Sequence, residues 1–348
     1  MPMNRREIIA ALAAAGMGCL APVQGYAAQG QTCSEIGIIQ PRQKTIPDSA
    51  GKRQDFQYRL GRAVLDLVQD WYGSGNLPVW NRPLSQIDLE KRVVNIVYWV
   101  MRSVSEQENI HPVDPVWVMA QMLEESCFYE FAVSWAFAVG ICQFMSATAR
   151  SVGMVCPENS KLPRSALKRQ DLASSLGHLQ DLQQKRRDLI DLDPDLFRDP
   201  QAKLQGILKT LAQGREYAHS EQDLSRLEQK EKLDEAISQA RSGYRTFLRA
   251  NYQDRSIFDS KDLEFLFRFD QRVTYKKPIA GMVQIMAENL RAREGNLLAA
   301  TAAYNAGLSR TYTGRQGYKP YGRIPPFRET VAYISRIVVN HHELAGRM

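Results

Sequence analysis

The sequence predicts a mainly α-helical protein, and three observations carry that expectation. Apolar residues recur at helical spacing through most of the chain. No segment has the strict apolar–polar alternation of a half-buried strand. Asp114-Pro115 supplies a helix N-cap followed by a first-turn proline. At 348 residues, with 44% hydrophobic and 24% charged, the chain has the balance of a globular protein holding one large core with additions.

Taken in order, residues 1–27 read as an export signal peptide. Arg5-Arg6 form a basic start, Ile8 to Leu20 an apolar stretch, and Gly25-Tyr26-Ala27 a small-x-small cleavage site. The apolar stretch is too short to span a bilayer comfortably. The arginine pair fits a twin-arginine signal, but adjacent arginines are common in ordinary basic starts, which is the favoured reading. Cys19 follows Gly18 as a lipid-bearing cysteine would, but Gly16 and Met17 fit that pattern poorly, so lipoprotein anchoring is not expected. The expected location is the periplasm. Removing the segment takes the formal charge from +7 to +6. A basic exported chain suits a polyanionic partner such as cell wall or anionic lipid, or uses its charge for solubility alone. No Lys/Arg run is interleaved with aromatics, so nucleic acid is not favoured.

Residues 28–109 read as a flexible leader to about residue 50, followed by helices. Phe56, Leu60, Val64, Leu67, Val68 and Trp71 make one helical stripe; Leu89, Val93, Val94, Ile96, Val97, Val100 and Met101 make the next. Gly73-Ser74-Gly75-Asn76 and Pro78 break the chain between them. Residues 110–156 open with the Asp114-Pro115 start. The run Val116 to Leu123 is apolar nearly all round, as in a buried helix, and it ends in Glu124-Glu125. Residues 157–265 change character: leucine stripes lie among many charges, broken at Pro194 and Asp199-Pro200. They read as a charged helical insertion, either a docking arm for a partner or a solvated addition. From residue 266 the apolar helical pattern resumes and leads to Tyr304-Asn305-Ala306-Gly307.

Cys33, Cys127, Cys142 and Cys156 remain after the signal, and an oxidising compartment permits three pairings among them. No Cys/His spacing resembles a zinc site, so no metal or cofactor is expected. His341-His342 is expected at a solvated helix end.

The chemistry sits in two separated segments. A carboxyl group gives a proton to a poor leaving group near neutral pH when burial or a like charge raises its pKa. Glu125 has both prospects, following an apolar helix and adjoining Glu124. Successive helical side chains diverge by about 100°, so only one of the two glutamates can face a given cleft. A Tyr-Asn-Ala-Gly turn suits holding a polar substrate against that proton. The pair points to glycan cleavage.

Glu125-Ser126-Cys127-Phe128, Ala132-Val133-Ser134 and Gly140-Ile141-Cys142-Gln143-Phe144-Met145, with Thr148-Ala149, resemble the first motif of the soluble lytic transglycosylase family. Ala302 to Gly307 resembles its second motif, and Ile324 to Thr330 with Tyr333 its closing one. The resemblance covers roughly residues 110–155 and 268–340. It implies a lysozyme-like, mainly helical transglycosylase core and cleavage of peptidoglycan between MurNAc and GlcNAc. One glutamate first protonates the glycosidic oxygen. It then acts as base while the C6 hydroxyl closes a 1,6-anhydro ring. By this resemblance Glu125 is catalytic, Ser126 positions its carboxyl, and Ser134, Gln143 and Met145 meet the glycan. Tyr304 hydrogen-bonds near the reacting centre, Asn305 shapes the turn, and Glu329 and Tyr333 support the substrate site.

Phe137 stands where that family usually has glycine, and Tyr129, Glu130 and Trp135 also depart from its pattern. Phe137 either intrudes on a turn or stacks on a sugar. Cys127 and Cys142 are either joined by a disulfide or buried as thiols. Two other readings stand beside the transglycosylase: a lysozyme-type hydrolase, and a non-catalytic wall-binding scaffold of an envelope-spanning secretion or conjugation machine. The expected partner in each is peptidoglycan.

Overall fold

The computed structural model describes residues 41–314 and 321–348. The export segment and Cys33 lie outside them. Helix dominates, as the sequence predicts. The helices are α1 (Ala50–Tyr72), α2 (Leu89–Glu106), α3 (Pro115–Ser126) and α4 (Ser146–Ser151), then α5 (Ser175–Leu192), α6 (Pro194–Arg198), α7 (Pro200–Ala212) and α8 (Ser220–Tyr252). α9 (Ser260–Phe269), α10 (Lys276–Ala292), α11 (Leu297–Ala306) and α12 (Arg328–Arg347) complete the set. Among the described residues the sheet content is one short antiparallel ribbon, pairing Asn76 with Pro83 and Leu77 with Arg82. No helix among the described residues is long and apolar enough to cross a membrane.

The chain divides into two compact units. The first runs to Ser134 and takes in Ala138–Ser160 and Ile257–Met348; the second is Lys161–Ser256 together with Trp135–Phe137.

In the first unit α3 is the central element, packed against α12 and α2. Val116, Trp117, Val118, Met119, Ala120 and Met122 are wholly buried. Fully burying an aliphatic side chain of that size is worth roughly 1.5–3 kcal/mol, so this helix stays inside despite ending in two glutamates. Its start follows the sequence: Pro115 is its first residue and the Asp114 carboxylate accepts from Val116 N at 2.8 Å. Its end is abrupt, because Cys127 and Phe128 adopt left-handed backbone at φ +48 and +62.

The same Asp114 accepts from Lys44 N and lies 2.8 Å from His341 Nε2. His341 is only 3% exposed, with its ring 5.2 Å from that of Trp117. The solvated helix end expected there therefore holds for His342 alone. In α12, position 341 falls on the stripe facing α3, where a buried carboxylate needs a donor.

Glu130, expected as a departure at a turn, is 1% exposed and held by Arg92 of α2 through bonds of 2.7–3.1 Å. Tyr129 lies against Trp80, whose indole donates to Cys127 O at 2.9 Å. Both departures thus join the end of α3 to the segment before it.

The second unit is organised on α5 and α8. Leu179, Leu182, Ile237 and Ala240 form its apolar cluster, with Phe137 packed on it. Phe137 has φ +69, the left-handed backbone a glycine would take freely. Its ring meets Tyr244 edge-on at 5.0 Å. The apolar contact offsets the strain of that backbone. Leu204, Leu208 and Leu211 of α7 face solvent, each more than half exposed.

Candidate active site

Glu124 and Glu125 occupy the last turn of α3, and α12 gives each its own partner. Glu124 Oε1 lies 2.6 Å from Arg336 Nε. Glu125 Oε1 accepts from the Tyr333 hydroxyl at 2.5 Å. Tyr333 and Arg336 stand three residues apart, on one face of α12, which matches the angular divergence of the two glutamates.

Tyr333 is itself held. Gln121, one turn before Glu125 and wholly buried, donates Nε2 to the Tyr333 oxygen at 2.8 Å. Its own carbonyl Oε1 is buried with no hydrogen-bond partner. Asn340 Nδ2 caps the Ala120 carbonyl at 3.1 Å. With the Asp114–His341 contact, five polar ties fasten α3 to α12 along its length.

Glu125 keeps part of its surface accessible, yet protein surrounds its carboxyl. Desolvation raises its pKa to about 8; Tyr333 lowers it through the hydrogen bond, and the Glu124 charge adds to the rise. The desolvation wins, so the carboxyl is mainly protonated at neutral pH. Burial also pushes Tyr304, Tyr333 and Cys142 well above their ordinary values, with the Glu125 charge adding to each. These four groups form one dry cluster.

The Gly140–Met145 loop faces that cluster. The Tyr304 hydroxyl donates to Cys142 O at 2.8 Å, joining the end of α11 to the loop. Ser126 Oγ donates to Ile141 O at 3.0 Å. Gln143, at φ +47, donates Nε2 to Gly140 O at 2.8 Å. Ser134 Oγ accepts from Ala138 N at 2.9 Å, shaping the neighbouring turn. Gly140 has φ +83, and a Cβ there would sit 1.9 Å from the Arg272 carbonyl oxygen. Glycine is therefore required. Arg272 is in turn fixed by Asp270, with both side chains wholly buried, and donates to Phe144 O at 3.2 Å.

Of the expected site residues, Glu125, Tyr333, Tyr304 and the Gln143 loop come together. Ser126 does not face a ligand: it is fully buried and its hydroxyl serves the loop backbone. The residue that meets the Glu125 carboxyl is Tyr333, expected among substrate contacts but 5% exposed. Asn305 Oδ1 accepts from Thr330 Oγ1 at 2.8 Å, joining α11 to the start of α12. Glu329 lies exposed in the first turn of α12, and Met145 is 44% exposed at the start of α4. Cys127 and Cys142 are not joined to each other. Gln121 was missed, although a lone polar residue within the Val116–Leu123 run was a visible signal.

The profile of the Transglycosylase SLT domain matches residues 102–172. The match spans the end of α2, all of α3 and the Gly140 loop. No curated protein and no solved structure matches the chain. The segment bearing Glu125 is thus similar to the Transglycosylase SLT domain, and the fold around it is mainly helical, which supports a soluble lytic transglycosylase assignment.

Proposed function

We propose that this protein is a peptidoglycan lytic transglycosylase in which Glu125 acts first as acid and then as base. The observation that carries the reading is a partly accessible glutamate with its pKa raised to about 8 by desolvation and one carboxyl oxygen held by Tyr333. With Oε1 occupied, Oε2 is left to carry the acid proton to the glycosidic oxygen as the C1–O bond breaks. The resulting carboxylate then takes the proton of the MurNAc C6 hydroxyl, whose oxygen bonds to C1. No water is consumed, and Glu125 returns to its protonated state. Most glycosidases need a second carboxylate. Here the acidic neighbour whose charge reaches Glu125 is Glu124, engaged with Arg336. An internal hydroxyl nucleophile removes the need for a second. Gln143 and the Gly140–Met145 loop are the proposed glycan contacts, with Tyr304, Asn305 and Glu329 shaping that site. The proposed location is the periplasm, on the strength of the Met1–Ala27 segment.

The test is digestion of purified wall followed by mass spectrometry. The expected product carries a 1,6-anhydro end. Glu125→Gln should abolish cleavage and remain folded, whereas Glu124→Gln should retain substantial activity. Products labelled from heavy-oxygen water would make water the nucleophile and replace this reading with a lysozyme-type hydrolase.

A further inference from the structure

The second unit carries a cationic face that nothing in the proposed reaction uses. Arg241, Arg245 and Arg249 stand one turn apart on α8, so their side chains share a face. The Nε atoms of Arg241 and Arg245 are buried and have no hydrogen-bond acceptor. A guanidinium donor withdrawn from water without an acceptor is costly. Two on one face suit an anionic ligand. The like charges repel one another: burial, then Arg249 and Arg241, hold Arg245 below the ordinary arginine value.

Arg241 has two further neighbours that define the ligand. Its guanidinium lies over the ring of Trp135, 4.9 Å from the ring centre, and that indole is 64% exposed. Arg241 also lines a cavity of about 470 Å³ together with Arg186, Arg187, Gln183 and Ser238. Asp234 also lines this cavity, but it is engaged by Arg186 and Lys230. An exposed indole offers a flat apolar face to the C–H face of a sugar. The guanidinium over that ring offers a planar fork to a carboxylate. Neither feature by itself distinguishes a ligand; together they match an acidic saccharide conjugate.

We propose that Trp135 and the Arg241–Arg245 face form a binding site for glycan bearing carboxylate-rich peptide stems. The sugar would lie on Trp135 and a stem carboxylate on the arginines. The proposal rests on the peptidoglycan reading above for its substrate class. It adds a binding site in the second unit, built from residues outside the acid–base cluster.

The test is co-sedimentation of the full chain carrying Glu125→Gln with purified wall sacculi, before and after an amidase strips their peptide stems. Intact sacculi should bind roughly tenfold more tightly than stripped ones, and Arg241→Ala should erase most of that difference. Trp135→Ala should weaken binding to both, and Trp135→Phe, which keeps a stacking ring, should restore much of it. Thermal melts monitor folding, and Arg241→Lys keeps a cation if the alanine variant unfolds: it should bind stems better than alanine and worse than arginine. Equal binding of intact and stripped sacculi, or no effect of Arg241 variants that fold, overturns the proposal. So does competition by millimolar inorganic phosphate as strong as that of soluble muropeptide, which would mark a general anion site. Because cleavage plays no part in the readout, failure here leaves the assignment of Glu125 intact. Residual cleavage by Glu125→Gln would sink that assignment without touching this one.

Discussion

At the residue scale, what separates Glu125 from Glu124 is the partner each meets on α12. Glu124 forms an ion pair with an arginine, whereas at Glu125 a tyrosine in a dry setting leaves desolvation dominant. This has a pH consequence with a definite sign. The acid form of Glu125 begins catalysis, so kcat/KM should fall as pH rises through about 8. The Tyr333 hydrogen bond favours the ionised form and lowers the pKa. Tyr333→Phe should therefore move the alkaline limb to higher pH while reducing the maximum rate. A pH–rate profile measures both, and a limb that moves to lower pH would contradict the assigned cause. Linkage has the same origin. A carboxyl with its folded pKa raised destabilises the fold progressively as pH climbs from the unfolded value, about 4.3, to about 8.

At the scale of elements, the loop from Gly140 to Met145 is defined by close backbone approach. Gly140 passes against the Arg272 carbonyl, and Arg272 is locked by Asp270. Gly153 offers an internal control. It has a similar φ, +77, but nothing lies within 4 Å of where its Cβ would be. Gly153→Ala should cost about 1 kcal/mol, the strain of a left-handed alanine. Gly140→Ala adds a backbone collision and should cost several-fold more, with loss of wall cleavage. Urea unfolding of both variants makes the comparison, and equal costs would show that the loop yields. The α3–α12 pairing follows a similar logic. Its polar ties fall at Asp114, Ala120, Gln121, Glu124 and Glu125. A helix that is apolar all round has no preferred rotation by burial alone, so these bonds set which side of it faces α12.

At the scale of the molecule, the first unit contains every expected site residue, and the second holds Lys161–Ser256 with Trp135–Phe137. Ser160 Oγ donates to Arg268 O at 2.9 Å within the first unit, so the departure point of the long segment is tethered there. Replacing residues 161–256 by a short linker should leave a folded first unit, because its core is assembled without them. The deletion should also expose the Phe137 ring, which packs on the cluster containing Leu179 and Ile237. Phe137→Gly in that background should then raise solubility, since glycine takes φ +69 without strain. Size-exclusion chromatography and thermal melts read the outcome. Aggregation of both deleted chains would mean that the segment completes the core.

The sequence by itself determined the helical class and the start of α3. It also picked out the glutamate pair and the glycine turn. Helical periodicity, an Asp-Pro cap and a buried run are local properties, legible wherever packing agrees with them. Tertiary structure decided which partner each side chain received. Tyr333 took the place expected of Ser126: it supplied the bond to Glu125, while Ser126 turned its hydroxyl to Ile141 O. His341 went inside because Asp114, 227 residues away, needed a donor. Phe137 found a ring to pack on where a turn alone would have asked for glycine. Each depends on a contact between residues far apart in the chain, and periodicity carries no information about which distant surface a side chain will meet.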